Sequence, residues 1–351
     1  MKNITKTLLV LVSALSISFA ATAGELSITG AAKASYVIGG ADDSQGKGLG
    51  VGNELTATAS GEMDNGWTWD YMTALDPADG GAATNDDSKL VIGMGDMGSW
   101  GIYDTTGGLS KELGYGIGAL GVGSDYNNTM TMQMGGDVSS YPNIQYHLPA
   151  DLLPLGIGAS IGYVPNMADG QGNSFKNSGP IEPHVLNGKN ATHVTVTAAP
   201  MDGLKIGADY FDTDESLTRK QPYQSGNAYA QYASGNWKVG YNIGGYSVPL
   251  TAKNSAVTRY ENEAWGIEFA VNDALSVSYN EETSEAFTNV AIVAAASSGV
   301  KTSVESEIES WQVAYVMGGA TLGLSIADVG NADYTAAKEE KRTTFTIAMD
   351  F

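Results

Sequence analysis

The stretch Thr343-Thr344-Phe345-Thr346-Ile347-Ala348-Met349-Asp350-Phe351 constrains the fold more than any other part of this chain. Phe345, Ile347, Met349 and Phe351 are spaced two apart and share one face of a strand, while Thr344, Thr346, Ala348 and Asp350 share the other. A fully alternating strand that stops on an exposed aromatic has little use in a water-soluble fold. It suits a barrel wall that faces lipid.

The opposite end agrees. Lys2 and Lys6 precede the apolar run from Leu8 to Phe19, which ends in Ala21-Thr22-Ala23. A basic start, a short apolar core and a small-x-small site predict a cleaved export signal over 1–23, with the functional chain running 24–351 as one domain. The two lysines leave with the signal, so the remainder is more acidic than the formal net charge of −21.

Beyond the signal no apolar segment approaches the ~20 residues of a membrane helix. The longest candidate, Val290 to Ala296, runs into Ser297, Ser298 and Gly299. A chain of this kind crosses a membrane only as a closed barrel, in which every backbone group is paired between strands. Composition fits. Charged residues are 16%, glycine numbers 45 of 351 and cysteine is absent. An exported chain without disulfides must draw its stability from elsewhere. The acidic balance, with Arg219, Arg259 and Arg342 the only arginines, excludes a nucleic-acid partner, whose phosphates require clustered cations.

Alternating runs joined by short turns recur. Leu55 to Met63 leads through Asp64-Asn65-Gly66 into Trp67 to Leu75, and Asn-Gly between two such runs signals a hairpin. Similar units turn at Pro200–Gly203, Ser234–Asn236, Asn272-Asp273 and Gly318-Gly319. Long polar connections alternate with these turns, near 39–52, 76–87, 104–138, 165–190, 212–225, 247–258, 282–303 and 328–341. Short turns on one side and long loops on the other are the pattern of a transmembrane antiparallel up-and-down β-barrel. The count is about sixteen strands, from Leu26–Tyr36 through Arg342–Phe351. Val304, Ile308, Trp311 and Tyr315 also fit helical spacing, but Trp311-Val313-Tyr315 runs into Gly318-Gly319 and reads as a strand. Trp67, Trp69, Trp237, Trp265, Trp311, Tyr36 and Tyr163 are expected at strand ends beside the turns, as an interfacial girdle.

With its signal, its opening strand Leu26-Ser27-Ile28-Thr29-Gly30, its hairpin units, the long third loop followed by Ser139–Tyr146 and the terminal Phe351, the chain resembles the Gram-negative general porin family. The resemblance covers the whole exported chain. It implies a sixteen-stranded homotrimer in the outer membrane, a third loop folded into the lumen, and passive diffusion of small hydrophilic solutes. It also implies that Phe345, Ile347, Met349 and Phe351 form the signal read by the barrel-assembly machinery, and that the second loop latches onto a neighbouring subunit. The chain lacks the Pro-Glu-Phe-Gly-type motif of enteric third loops and the usual arginine cluster on the early strands.

The third loop carries the constriction candidates Asp104, Lys111, Glu112, Asp125 and Asp137, with a Met-rich stretch at Met130, Met132 and Met134. Loops of this length are usually functional. In the expected register the pore wall carries the acids Glu54, Glu62, Asp70, Asp209 and Glu268 and the bases Lys33, Lys89, Lys205 and Lys238. Rings of carboxylates favour cations, so the acidic balance predicts a mild cation preference. No cofactor is expected. Glu305, Glu307 and Glu309 alternate on the Trp311 face, and acids also gather at Asp76–Gly80 and Asp86-Asp87, without the ligand spacing of a calcium loop. Whether a loop-bound divalent cation is held stays open. The three histidines, His147, His184 and His193, are scattered without metal spacing, and neither a nucleophile elbow nor a phosphate loop occurs, so no enzyme is expected. Two alternatives to a diffusion pore stay open. One is a substrate-selective channel, for which Tyr103, Tyr115 and Tyr126 are irregularly spaced stacking candidates. The other is a plugged barrel serving as a surface-binding or structural protein.

Overall fold

The computed structural model describes residues 25–39, 47–77, 83–126, 135–149, 151–165, 167, 190–214, 223–248, 257–288 and 303–351. The export signal, Val290 to Ala296, the Met-rich stretch and the centres of several long connections lie outside the described residues.

Sixteen strands close into one barrel: β1 (Leu26–Gly39), β2 (Lys47–Glu62), β3 (Thr68–Pro77), β4 (Ala83–Gly93), β5 (Ser99–Asp104), β6 (Asn143–His147), β7 (Gly158–Val164), β8 (Ala191–Met201), β9 (Leu204–Thr213), β10 (Gln224–Ser234), β11 (Trp237–Ser247), β12 (Val257–Asn272), β13 (Leu275–Thr288), β14 (Ser303–Met317), β15 (Ala320–Gly330) and β16 (Glu340–Asp350). Each strand is antiparallel to the next, and β16 returns to β1, with Tyr36 opposite Phe345 and Ala34 opposite Ile347. The sheet therefore has no open edge. Among the described residues no helix is long and apolar enough to cross a membrane.

The turns follow their chemistry. At the first hairpin Met63 N–H donates to the Trp67 carbonyl at 2.7 Å, and Gly66 sits at φ 81°. At the last, Gly318 and Gly319 both take positive φ, as a two-residue turn matched to strand twist requires. β14 is a strand, as its continuation into that turn predicts.

Most of the long connections are shorter than expected, because the strands run further; the third, expected at 104–138, instead extends to 142. β1 reaches Gly39, β13 continues to Thr288 and β15 to Gly330. In β13 the added residues are polar on both faces over residues 281–285, before Ala286 and Phe287. Hydrophobic alternation ends before hydrogen bonding does, so the pattern marks the apolar band and not the whole strand.

Burial is inverted relative to a soluble protein. Leu49, Val51, Val196, Val239, Trp311, Phe345 and Ile347 are exposed on the outer face. Asn242, Asn280, Glu282, Ser284, Ser310, Gln312 and Ser325 are buried on the inner one. An apolar belt of this extent is covered only by lipid. Trp237 packs on Phe269 beside a short turn, with ring centroids 4.3 Å apart. Trp265, Tyr279 and Trp311 form a second row, at 5.4 and 4.7 Å. That row lies towards the middle of β12 and β14, so Trp265 and Trp311 mark the far boundary of the belt and not the turn side expected for them. Immediately beyond them the outer face turns acidic. Glu261, Glu285 and Glu305 are in register across β12, β13 and β14, and Glu281, Glu309 and Asp328 across β13, β14 and β15.

Candidate functional site

Strand alternation positions the inner-face groups. Lys33 lies on the face opposite Leu26 and Ile28, and Glu54 and Glu62 opposite Leu49 and Val51. Asp70 and Lys89 line one cavity of about 500 Å³ with Thr58, Ser60, Tyr103 and His147. His147 receives a 3.3 Å contact from the Tyr103 hydroxyl and a 2.7 Å contact from Ser160 Oγ. Lys205 and Asp209 share the inner face of β9, opposite Ile206 and Tyr210. Lys238 and Glu268 pair across β11 and β12 at 3.1 Å. All nine wall candidates thus take the inner parity.

The third connection, residues 105–142, is fastened to this inner face at two places. At its root Asp137 accepts the backbone N–H groups of Leu109 at 3.0 Å, Ser110 at 2.9 Å and Ser139 at 3.1 Å. Asp209 accepts Lys111 N–H at 2.6 Å and the Asn227 amide at 3.0 Å. His193, fully buried on β8, stands between these carboxylates, with Nε2 3.2 Å from Asp209 and Nδ1 3.5 Å from Asp137. Thr195 Oγ1 donates to the Leu109 carbonyl at 2.8 Å. Glu112 accepts the Asn262 amide at 2.9 Å and Gly135 N–H at 3.1 Å, joining the outgoing and returning arms of the connection to β12.

Further along, Gln231 donates to the Tyr115 carbonyl at 2.8 Å and Asn280 donates to the Ile117 carbonyl. Ala119 N–H donates to Ser278 Oγ at 2.8 Å, and Leu120 N–H to Gln312 at 2.9 Å. Glu282 on β13 accepts the Tyr115 hydroxyl at 3.0 Å, Ser124 N–H at 3.0 Å and the Ser124 hydroxyl. Gly240 and Gly266 leave the space that Tyr115 and Ile117 fill, since a Cβ at either would meet those residues within 3.1 Å. The hydrogen-bonding partners sit on β8, β9, β10, β12, β13 and β14, and on β6, where Gln145 donates to the Gly107 carbonyl and Asn143 to the Val138 carbonyl.

Two carboxylates at the root are shifted in opposite directions. Burial, reinforced by Asp209 and Asp137, pushes the Glu112 carboxyl up to about 8, against the opposing effect of its two donors. Burial also acts to raise Asp137, but His193 and the N–H groups of Ser110, Leu109 and Ser139 outweigh it and hold Asp137 below the usual carboxylate range.

Of the constriction candidates, Glu112, Asp137 and the backbone of Lys111 come together at the root. Asp104 ends β5 near Asp87, at the parity of Trp100 and Ile102, away from that cluster. Asp125 belongs to a single helical turn, Gly123–Tyr126, and its side chain lies outside the described residues. The terminal set Phe345, Ile347, Met349 and Phe351 lines the outer face beside β1. Glu307 and Glu309 converge with Glu281 on the outer wall, their carboxylates within 4.8 Å of one another.

Sequence reasoning missed His193, Glu282, Asn227, Asn262, Asn280 and Gln312. Their one available signal was an Asn, Gln, Glu or His at inner parity among Ser, Thr and Gly. It also missed an aromatic row. Phe211, Tyr223, Tyr246, Tyr260 and Tyr334 follow one another at centroid distances of 5.6, 5.9, 5.0 and 5.1 Å.

An inside-out, edgeless sixteen-stranded antiparallel cylinder defines a transmembrane β-barrel. Among solved structures it is similar to a porin refined at 1.8 Å resolution, with TM-score 0.62 and 16% identity over 93% of this chain and 100% of that one. It is likewise similar to an anion-selective porin from Comamonas acidovorans, with TM-score 0.65 and 12% identity over 93% of this chain and 100% of that one. OmpF of Salmonella typhi, in complex with daunomycin, gives TM-score 0.61 and 13% identity over 94% and 98%. The chain has the fold of the Gram-negative outer-membrane porins. No protein-family model matches the sequence, and no curated relative does.

Proposed function

We propose that the chain is exported, loses residues 1–23, and forms a homotrimeric outer-membrane porin through which small hydrophilic solutes and ions diffuse. The carrying observation is the fastening of residues 107–124 to polar side chains of the inner face. A connection held this way narrows the lumen instead of standing above it, and a barrel of this size otherwise encloses an open aqueous channel. The outer belt rests in lipid, and the terminal aromatic strand addresses the chain to the assembly machinery. This is the chemistry of a channel and not of an enzyme.

Ion preference is mild and rests on few groups. Asp209 is engaged by His193, Asn227 and Lys111, and Glu268 pairs with Lys238. Glu261, Glu263, Glu281, Glu285, Glu305, Glu307 and Glu309 share the outer parity. The cation preference read from composition therefore depends on Glu54, Glu62 and Asp70, set against Lys33, Lys89 and Lys205.

Planar-bilayer recording tests the reading. Large stable conductance supports a pore, whereas no conductance supports a plugged barrel. Deleting residues 110–130 raises conductance if they constrict the lumen, and unchanged conductance overturns that placement. A reversal potential of anionic sign overturns the cation preference.

A second reading is favoured by the part of the row formed by Tyr246, Tyr260 and Tyr334, since Phe211 is buried with Leu109 and Val138. Aromatic rings in sequence bind saccharides through their apolar C–H faces, which fits a channel with sugar preference. Concentration-dependent current block by an oligosaccharide, lost in Tyr260→Ala, supports it. Absence of block removes it.

A further inference from the structure

The root of the third connection holds two buried carboxylates, Glu112 and Asp209, with a partly exposed third, Asp137. Asp137 and Asp209 share His193, while Glu112 accepts from its own donors, Asn262 and Gly135, and among the described residues forms no ion pair. The groups facing Glu112 are accounted for on each packed element. The connection itself contributes Asp137, while β8 contributes His193, already placed between two aspartates, and β9 contributes Asp209. Tyr223, just before β10, and Tyr246 on β11 bring phenols close to it, and β12 brings the Asn262 amide. The Lys111 ammonium acts on His147 and is absent from the groups that perturb Glu112.

We propose that Glu112 is a proton-operated latch: carrying a proton, it holds both arms of the connection against β12, and losing it, it loosens the root against Asp137 and Asp209. The proposal rests on the reading of residues 105–142 as the constriction. It concerns only the root, because residues 115–124 have separate anchors on Gln231, Asn280, Ser278, Gln312 and Glu282.

The sign follows from linkage. The docked carboxyl titrates at about 8, whereas a solvated one titrates near 4.3. Docking therefore favours the proton. It weakens as pH rises between those values, by about tenfold per pH unit, and the loss is complete once Glu112 ionises in place above about 8.

Hydrogen exchange on the purified full-length barrel, corrected for the intrinsic pH dependence of amide exchange, reads this directly. From about pH 6 to about pH 8, the amides of Leu109, Ser110, Lys111 and Gly135 lose protection by about tenfold per unit. Those of Ala119, Leu120 and Ser124 hold theirs. Glu112→Gln, which keeps the shape without the charge, flattens the root profile. Asp209→Asn, which removes a like charge, moves the upper end of the transition to lower pH and serves if the first variant does not fold. Equal behaviour of root and distal amides, or an unchanged profile in both variants, overturns the latch. If the root profile responds while deletion of 110–130 leaves conductance unchanged, the constriction reading fails and the latch does not.

Discussion

Phe351 and Gly30 hold each other by two backbone hydrogen bonds, Gly30 N–H to the Phe351 carbonyl at 2.6 Å and Phe351 N–H to the Gly30 carbonyl at 2.8 Å. The Phe351 ring lies over Gly30, where an added Cβ would come within 2.5 Å of it. Gly30→Val therefore displaces the ring and weakens the seam. Phe351→Ala keeps the backbone bonds and loses apolar area, a cost of about 1.5–3 kcal/mol. Both are expected to lower the unfolding midpoint in denaturant, seen as earlier loss of the compact band on an unheated gel.

Val196 stands in mid-strand on the outer face of β8. Val196→Arg puts a cation into lipid at a cost of about 2–4 kcal/mol. Thr58→Arg on the inner face of β2 is expected to leave stability almost unchanged and to shift the reversal potential towards anions. Comparing their refolding yields in bilayers checks which face meets lipid.

Glu282 is fully buried and gathers three donors from Tyr115 and Ser124. Glu282→Ala orphans them, at about 1–3 kcal/mol for each buried group left unpaired. The expected outcome is a noisier channel with larger current steps. Glu285→Gln, on the outer parity of the same strand, is expected to record like the native protein.

Asp137 titrates below the usual carboxylate range, so its contribution runs opposite to that of Glu112. A group held more acidic when docked stabilises docking above its ordinary value of about 3.9 and loses that contribution as pH falls below it. Protection of the Leu109, Ser110 and Ser139 amides is therefore expected to decline on acidification past about pH 4, and Asp137→Asn to remove the decline.

The periodicity of Phe345 to Phe351 was enough to find the closing strand and the face it shows to lipid, because lipid imposes a strict two-residue rule on every strand it touches. The rule stops where water begins, so residues 282–288 read as loop although the β13–β14 ladder continues as far as Phe287. Inner parity was legible for Lys33, Glu54 and Asp209 by the same alternation. What Asp209 does was not. Its partner His193 lies on the paired strand β8, whereas Lys111 is 98 residues away in sequence and reaches it only through a hydrogen bond from the third connection. Asp104 fell on the other face of β5 because a strand reverses parity with each residue, and its neighbour Tyr103 took the inner position.

Among the described residues the connection leans on β6 to β15 and leaves the β1–β2 wall uncovered. A Cβ at Gly48, Gly50 or Gly52 on β2 would meet nothing within 4 Å, whereas one at Gly240 or Gly266 would strike the docked segment. The two halves of one cylinder therefore tolerate mutation differently. One side is free to change its residues, and with them the permeation path, without refitting anything. The other changes only in concert with the segment it carries, so adaptation of the pore has a favoured side.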